Sequence, residues 1–161
     1  MKKKAVQKIA KRALRERRLP RSQLQFGAIC YRIHPTKGLQ VLLITSRRTR
    51  RWISPKGWPM KGRKPWEVAE IEAFEEAGVQ GEISRKPLGF YSYRKLLDLR
   101  KFEVTCLVQA YRLHVTEELD RFPEVSQRRR KWMKPDKARK RVRESELSAL
   151  IRLLEDQVSV K

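Results

Sequence analysis

Residues Pro55–Val79 read PKGWPMKGRKPWEVAEIEAFEEAGV, a basic loop punctuated by glycine that runs into a helix with clustered carboxylates. Pro65 suits the first position of that helix, where a missing N–H costs nothing, and Gly78 suits its left-handed stop. Between them Glu72, Glu75 and Glu76 stand at i, i+3 and i+4, which puts all three on one face. Glutamates crowded in this way repel one another. A divalent cation reverses the balance, because hard oxygen donors are what Mg²⁺ prefers. A solvated acidic helix face is the plainer alternative. The preceding loop speaks against it: Arg47, Arg48, Arg50, Arg51, Lys56, Lys61, Arg63 and Lys64 fall between residues 47 and 64 with no acid among them. Cations that hold phosphates, beside carboxylates that hold a metal, are what a polyphosphate site requires.

Gly57–Val79 resembles the Nudix box: a glycine, a central glutamate, then Arg-Glu, Glu-Glu and Gly-apolar at fixed spacing. Gly57, Glu72, Glu75, Glu76, Gly78 and Val79 fall on the pattern. Two positions depart from it. Arg63 stands where the family usually has a glutamate, and Ile71 where it usually has the arginine before the first catalytic glutamate. Those two residues are generally regarded as bracing the loop against the helix, so their replacement bears on bracing and turnover more than on the metal site. With all three metal-facing glutamates kept, the resemblance implies an active hydrolase. The flank Ile44–Pro55, ITSRRTRRWISP, is similar to the strand and loop ahead of the box in the diphosphoinositol polyphosphate phosphohydrolase branch. There a Ser-Arg pair and a Trp-Ile/Val-x-Pro run lead into it.

The resemblance implies an α/β fold, the Nudix-type α/β/α sandwich with a mixed sheet between helices. It also implies hydrolysis of a phosphoanhydride by water activated on Mg²⁺, with Mn²⁺ as the alternative ion. Gly57, Glu72, Glu75 and Glu76 would hold the metal, and the three glutamates form the catalytic set. One of them, or another carboxylate in the pocket, is the general base; the sequence does not choose. Arg47, Arg51, Lys56, Lys61 and Arg63 are expected to neutralise the substrate's phosphates, arginine being suited by its planar fork. A cation at position 63 is expected to favour a more anionic substrate. The substrate class implied is a crowded diphosphate compound, such as a diphosphoinositol polyphosphate or a diadenosine polyphosphate. The alternatives are an RNA 5′-pyrophosphohydrolase and a non-catalytic module that binds nucleic acid or polyphosphate. The retained glutamates oppose the last of these.

The formal charge of +22 is unevenly spread. Met1–Arg21 and Gln127–Arg143 each hold ten Lys/Arg and one acid, so the remainder is nearly balanced. Such segments steer anions or grip nucleic-acid backbones, which makes nucleic acid a further expected partner. The expected organisation is a basic N-terminal arm, residues 1–21, followed by a single domain over residues 22–161. No apolar run is long enough to span a membrane, and a cytoplasmic location is expected. Cys30 and Cys106 are isolated within apparent strands and read as reduced core residues. His34 and His114 have no partners at ligand spacing and read as structural.

Gln25–Ile33, Gln40–Thr45, Pro87–Arg94 and Phe102–Val115 read as strands, the last of them central. In the helix after Pro65, Val68, Ala69, Ile71, Ala73 and Phe74 are expected to cover the sheet. The last helix, Glu144–Gln157, carries the stripe Leu147, Leu150, Ile151 and Leu154, with Ser145 as its cap. Trp132 follows a Glu-x-x-x-Arg stretch, Glu124–Arg128, similar to one that related enzymes carry before a tryptophan. It is expected to pack on the fold or over the substrate mouth.

Overall fold

The computed structural model describes residues 23–97 and 102–159; the basic arm inferred from the sequence lies outside them. Strands β1 (Leu24–His34) and β2 (Gly38–Thr45) form an antiparallel pair, followed by two short strands, β3 (Trp52–Ile53) and β4 (Lys56–Gly57). Helix α1 (Pro65–Ala77) leads into β5 (Val79–Ile83), β6 (Gly89–Leu97) and β7 (Phe102–Glu118). Strand β8 (Arg130–Met133) and helices α2 (Pro135–Arg141) and α3 (Ser145–Ser159) complete the order. Strand β7 is central, as expected: it runs parallel to β1 and antiparallel to β5 and β6. The sheet is therefore mixed.

The near-continuous apolar runs of β1 and β2 follow from a sheet covered on both faces. Ala28, Cys30, Leu42 and Ile44 pack under α1, while Ile29, Val41 and Leu43 point to the other face and meet α2 and α3. Side chains alternate between faces with period two, so each run feeds both cores. On α3, Leu147, Leu150, Ile151 and Leu154 are all buried, each contributing about 1.5–3 kcal/mol of apolar burial. The result is the expected α/β/α sandwich.

Several local expectations need correction. On α1 the residues buried against the sheet are Val68, Ala69, Ala73 and Ala77, together with Glu76; Ile71 and Phe74 are only half-buried. Small side chains let the helix lie close to β1 and β4, which turns the bulkier Ile71 and Phe74 to its flank. Ser145 is the first residue of α3 rather than its cap, and the Glu144 carbonyl accepts the Ser148 N–H at 3.0 Å. The second basic segment forms β8 on the edge of β2 and then α2. There Trp132 packs against the α1-side core and donates its Nε1–H to Glu118 at 3.0 Å, with the Arg32 guanidinium 4.2 Å from its ring centroid. It belongs to the fold, not to a substrate mouth.

Both histidines are structural. His34 Nδ1 accepts the Thr36 and Lys37 N–H groups in the β1–β2 turn, and His114 stacks on Tyr31. Cys30 and Cys106 are free and buried, and burial pushes the Cys30 thiol up to about 12, far from thiolate reactivity. Among the described residues no helix is long and apolar enough to cross a membrane.

Candidate active site

Strand β4 pairs with β1 through Phe26 and Gly57, and α1 crosses directly over it. Gly57 is what permits this approach. A Cβ built there would stand 2.2 Å from the Glu72 carboxyl carbon. One turn along α1, Glu76 reaches the same strand, and its Oε1 accepts the Lys56 N–H at 3.3 Å. Spacing on the helix and the bare glycine on the strand thus bring two carboxylates to one edge of the sheet.

These groups line a cleft of about 270 Å³. Arg47, Lys56 and Lys95 line it as cations, Glu72, Glu76 and Glu124 as acids, and Tyr93, Gln25 and Trp58 complete the wall with Arg128. Burial, then the neighbouring Glu76 carboxyl and the charges of Glu75 and Glu124, push the Glu72 carboxyl up to about 8. Burial also raises Glu76, opposed by the Arg128 guanidinium and by Lys56. Lys56 is held down at about 8 by burial, with Glu76 and Glu144 pulling the other way, and its Nζ lies 4.5 Å from the Tyr93 ring centroid. Without a metal ion, burial and mutual repulsion hold both Glu72 and Glu76 above the ordinary carboxylate range.

Of the residues singled out in the sequence, Gly57, Glu72, Glu76, Arg47 and Lys56 meet in this cleft. The others do not line it. Glu75 is half-buried on α1, and its carbonyl accepts the Glu124 N–H at 3.0 Å, fastening the loop after β7 to the helix. Arg51 is paired with Glu144 at the start of α3. Lys61 is exposed, and Arg63 lines a separate groove on the flank of α1 with Ile71, Glu67, Glu70 and Phe74. Both departures from the box pattern therefore face that second groove. Lys95, Tyr93, Gln25 and Trp58 carried no sequence signal, since they come from β6, β1 and the loop after β4, which are far apart in the chain. Glu124 and Arg128 stood in a recognisable stretch, but only the fold shows that they reach the cleft.

The donors fit a hard divalent cation. Two carboxylates and the carbonyl-bearing Gly57 are pressed together where a Cβ would collide, and oxygen is the only donor atom they offer. Among the described residues no three acidic, histidine or cysteine side chains are yet gathered at metal-binding distance. The Arg128 guanidinium lies between Glu76 and Glu124, 3.1 Å and 3.2 Å from them.

Known proteins share this fold. A family model described as the NUDIX domain matches residues 23–153. Nudix hydrolase 12, mitochondrial, from Arabidopsis thaliana is 32% identical over 125 residues, covering 74% of this chain and 62% of that protein. Nudix hydrolase 16, mitochondrial, of the same organism is 38% identical over 104 residues, covering 63% of this chain and 57% of its own length. The chain thus matches less than two thirds of the length of either relative. Among solved structures, a C. elegans Ap4A hydrolase binary complex superposes with a TM-score of 0.63 at 20% identity, covering 86% of this chain and 98% of the other. The NUDIX domain of Shewanella oneidensis NrtR, solved with ADP ribose, gives 0.63 at 14% identity over 92% and 97%. Both share the fold.

Proposed function

The chain belongs to the Nudix family, and from that footing we propose that it hydrolyses a phosphoanhydride bond in a highly anionic diphosphate compound. The observation that carries this is the joining, in one cleft, of Glu72, Glu76 and Gly57 with Arg47, Lys56 and Lys95. Glu72, Glu76 and the Gly57 carbonyl would hold a divalent cation, Mg²⁺ in this reading, with Glu75 joining them from the same helix face. The bound ion supplies Lewis-acid polarisation of the diphosphate and a water of lowered pKa. Arg47, Lys56 and Lys95 neutralise the phosphates and orient them against the carboxylates. Glu124, facing the cleft from the loop after β7, is our choice for the general base. Arg51 and Arg63, engaged or directed elsewhere, take no part in phosphate binding in this account.

The substrate we favour is a diphosphoinositol polyphosphate or a diadenosine polyphosphate. A second reading, removal of pyrophosphate from RNA 5′ ends, draws on exposed Arg129, Lys131, Lys134 and Lys137, which run from the residue after Arg128 along β8 into α2. Incubation with Mg²⁺ and a diphosphoinositol polyphosphate, diadenosine polyphosphates, nucleoside triphosphates and 5′-triphosphorylated RNA separates these. Turnover of the first two classes supports the primary reading, and turnover of RNA alone the second. Tight binding without turnover on any substrate contradicts both and marks a binding module.

We read residues 22–161 as one domain behind a basic arm, in the cytoplasm. Imaging of the tagged full chain tests the location. A mitochondrial signal, the compartment in the names of both Arabidopsis relatives above, would contradict it.

A further inference from the structure

Arg128 is a long, charged side chain only 8% exposed. Its Nη2 lies 3.1 Å from Glu76 Oε2 and 3.2 Å from Glu124 Oε1, its Nε donates to Glu124 Oε1 at 3.3 Å, and its Nη1 donates to the Thr45 carbonyl at 3.2 Å. One guanidinium therefore joins carboxylates from α1 and from the loop after β7. Arg47 stands farther off, 3.6 Å from Glu124 and 60% exposed, so it contributes a weaker, solvent-screened attraction. Glu76 is more deeply enclosed: its side chain is 5% exposed and accepts the Lys56 N–H at 3.3 Å, with the buried Lys56 ammonium as a second positive charge nearby. A buried carboxylate stripped of its cation is costly, which explains why an arginine is kept inside an acidic cleft.

We propose that Arg128 is the counter-cation of the metal-free site, a positioning residue that holds Glu76 and Glu124 in place until a divalent cation displaces it. The inference rests on the metal reading of the site given above. It predicts effects of opposite sign. Without the guanidinium, the metal-free protein loses a stabilising pair. The entering ion, however, no longer has to displace one cation and sit beside it, so it binds more tightly.

Mn²⁺ titration calorimetry and thermal melts in chelator, on the full chain with Arg128→Gln and Arg128→Lys, provide the test. Arg128→Gln should melt below wild type in chelator yet bind Mn²⁺ at least ~5-fold more tightly, on the order expected for removing one nearby charge. Arg128→Lys, which keeps the charge, should bind Mn²⁺ as wild type does. Unchanged or weaker Mn²⁺ binding by Arg128→Gln overturns the proposal, since that is what a purely structural arginine gives. A second measurement needs no folded neutral variant. The Arg128 Nε–H resonance of wild type, assigned with Arg128→Lys, should shift on adding Mg²⁺ as its carboxylate partners are taken. Mn²⁺ binding by wild type with that resonance unmoved overturns this proposal alone, whereas wild type that takes up no Mn²⁺ overturns the metal reading as well.

Discussion

Gly57 and Glu72 are in a contact that no other residue at position 57 could make, because a Cβ there would lie 2.2 Å from the Glu72 carboxyl carbon. The strand and the helix carboxylate are positioned by the same absence of a side chain. Gly57→Ala should therefore push Glu72 out of the cleft. Since a misplacement of about 1 Å can cost a hundredfold in rate, kcat/KM should fall by roughly that factor, with a smaller change in Tm. Steady-state kinetics beside a thermal melt checks this. A variant with full activity would show that Glu72 need not sit where the glycine places it.

The Glu72 carboxyl, pushed up to about 8 from an ordinary 4.5, gives the metal-free protein a pH signature. Between those values the folded chain binds more protons at this site than the unfolded chain does, so stability falls as pH rises. The contribution is complete below the ordinary value and lost as pH passes through about 8. Lys56, held down at about 8, acts in the opposite sense above that pH, so the clean window is below it. Melts in chelator should show Tm declining from about pH 5 to about pH 8. Saturating Mg²⁺, or Glu72→Gln, should flatten the profile.

Arg63 lines a groove with Glu67, Glu70 and Ile71 on the flank of α1, away from the cleft. Arg63→Glu should leave the ranking of substrates by charge unaltered, contrary to the expectation drawn from sequence alone. It gathers three acids around one groove, and should lower stability by about 0.5–1 kcal/mol, the scale of exposed charge pairs. Adding Ile71→Arg should recover that loss. Denaturant melts of the single and double variants, with the substrate panel, test both halves.

Gly78 ends α1 at φ +66°, and a Cβ there would meet the Phe122 ring at 2.2 Å. Gly78→Ala incurs the left-handed penalty of about 1–2 kcal/mol and displaces Phe122, against which the Arg130 guanidinium packs. We expect a loss of more than about 2 kcal/mol in chemical denaturation. A smaller loss would show that the loop after β7 gives way easily.

The layers of the fold were legible because apolar patterning is local. The runs in β1, β2 and β7, and the stripe on α3, state which faces must be covered. What stayed hidden was small or relational. Two-residue strands such as β3 and β4 have no periodicity to detect, and β8 lay within a run of arginines whose charge masked the alternation of Trp132 and Met133. In the site, Glu72 and Glu76 were legible from helix spacing, since i and i+4 must share a face. Of the cations, only Arg47 and Lys56 were. Sequence proximity favoured Arg51, Lys61 and Arg63 equally with those two, whereas the cleft is also served by Lys95 from β6 and Arg128 from beyond β7. A basic loop announces charge, but only the fold decides where each side chain points.

The central claim is that Glu76 and its neighbours in the cleft support hydrolysis of an anionic diphosphate by a metal-activated water. Its most direct test is turnover of diadenosine tetraphosphate and of a diphosphoinositol polyphosphate over a Mg²⁺ titration, with wild type and Glu76→Gln side by side. The account predicts Mg²⁺-dependent cleavage of at least one of them by wild type, reduced in Glu76→Gln by at least about a hundredfold. Cleavage that persists in chelator, or that Glu76→Gln leaves intact, would contradict it.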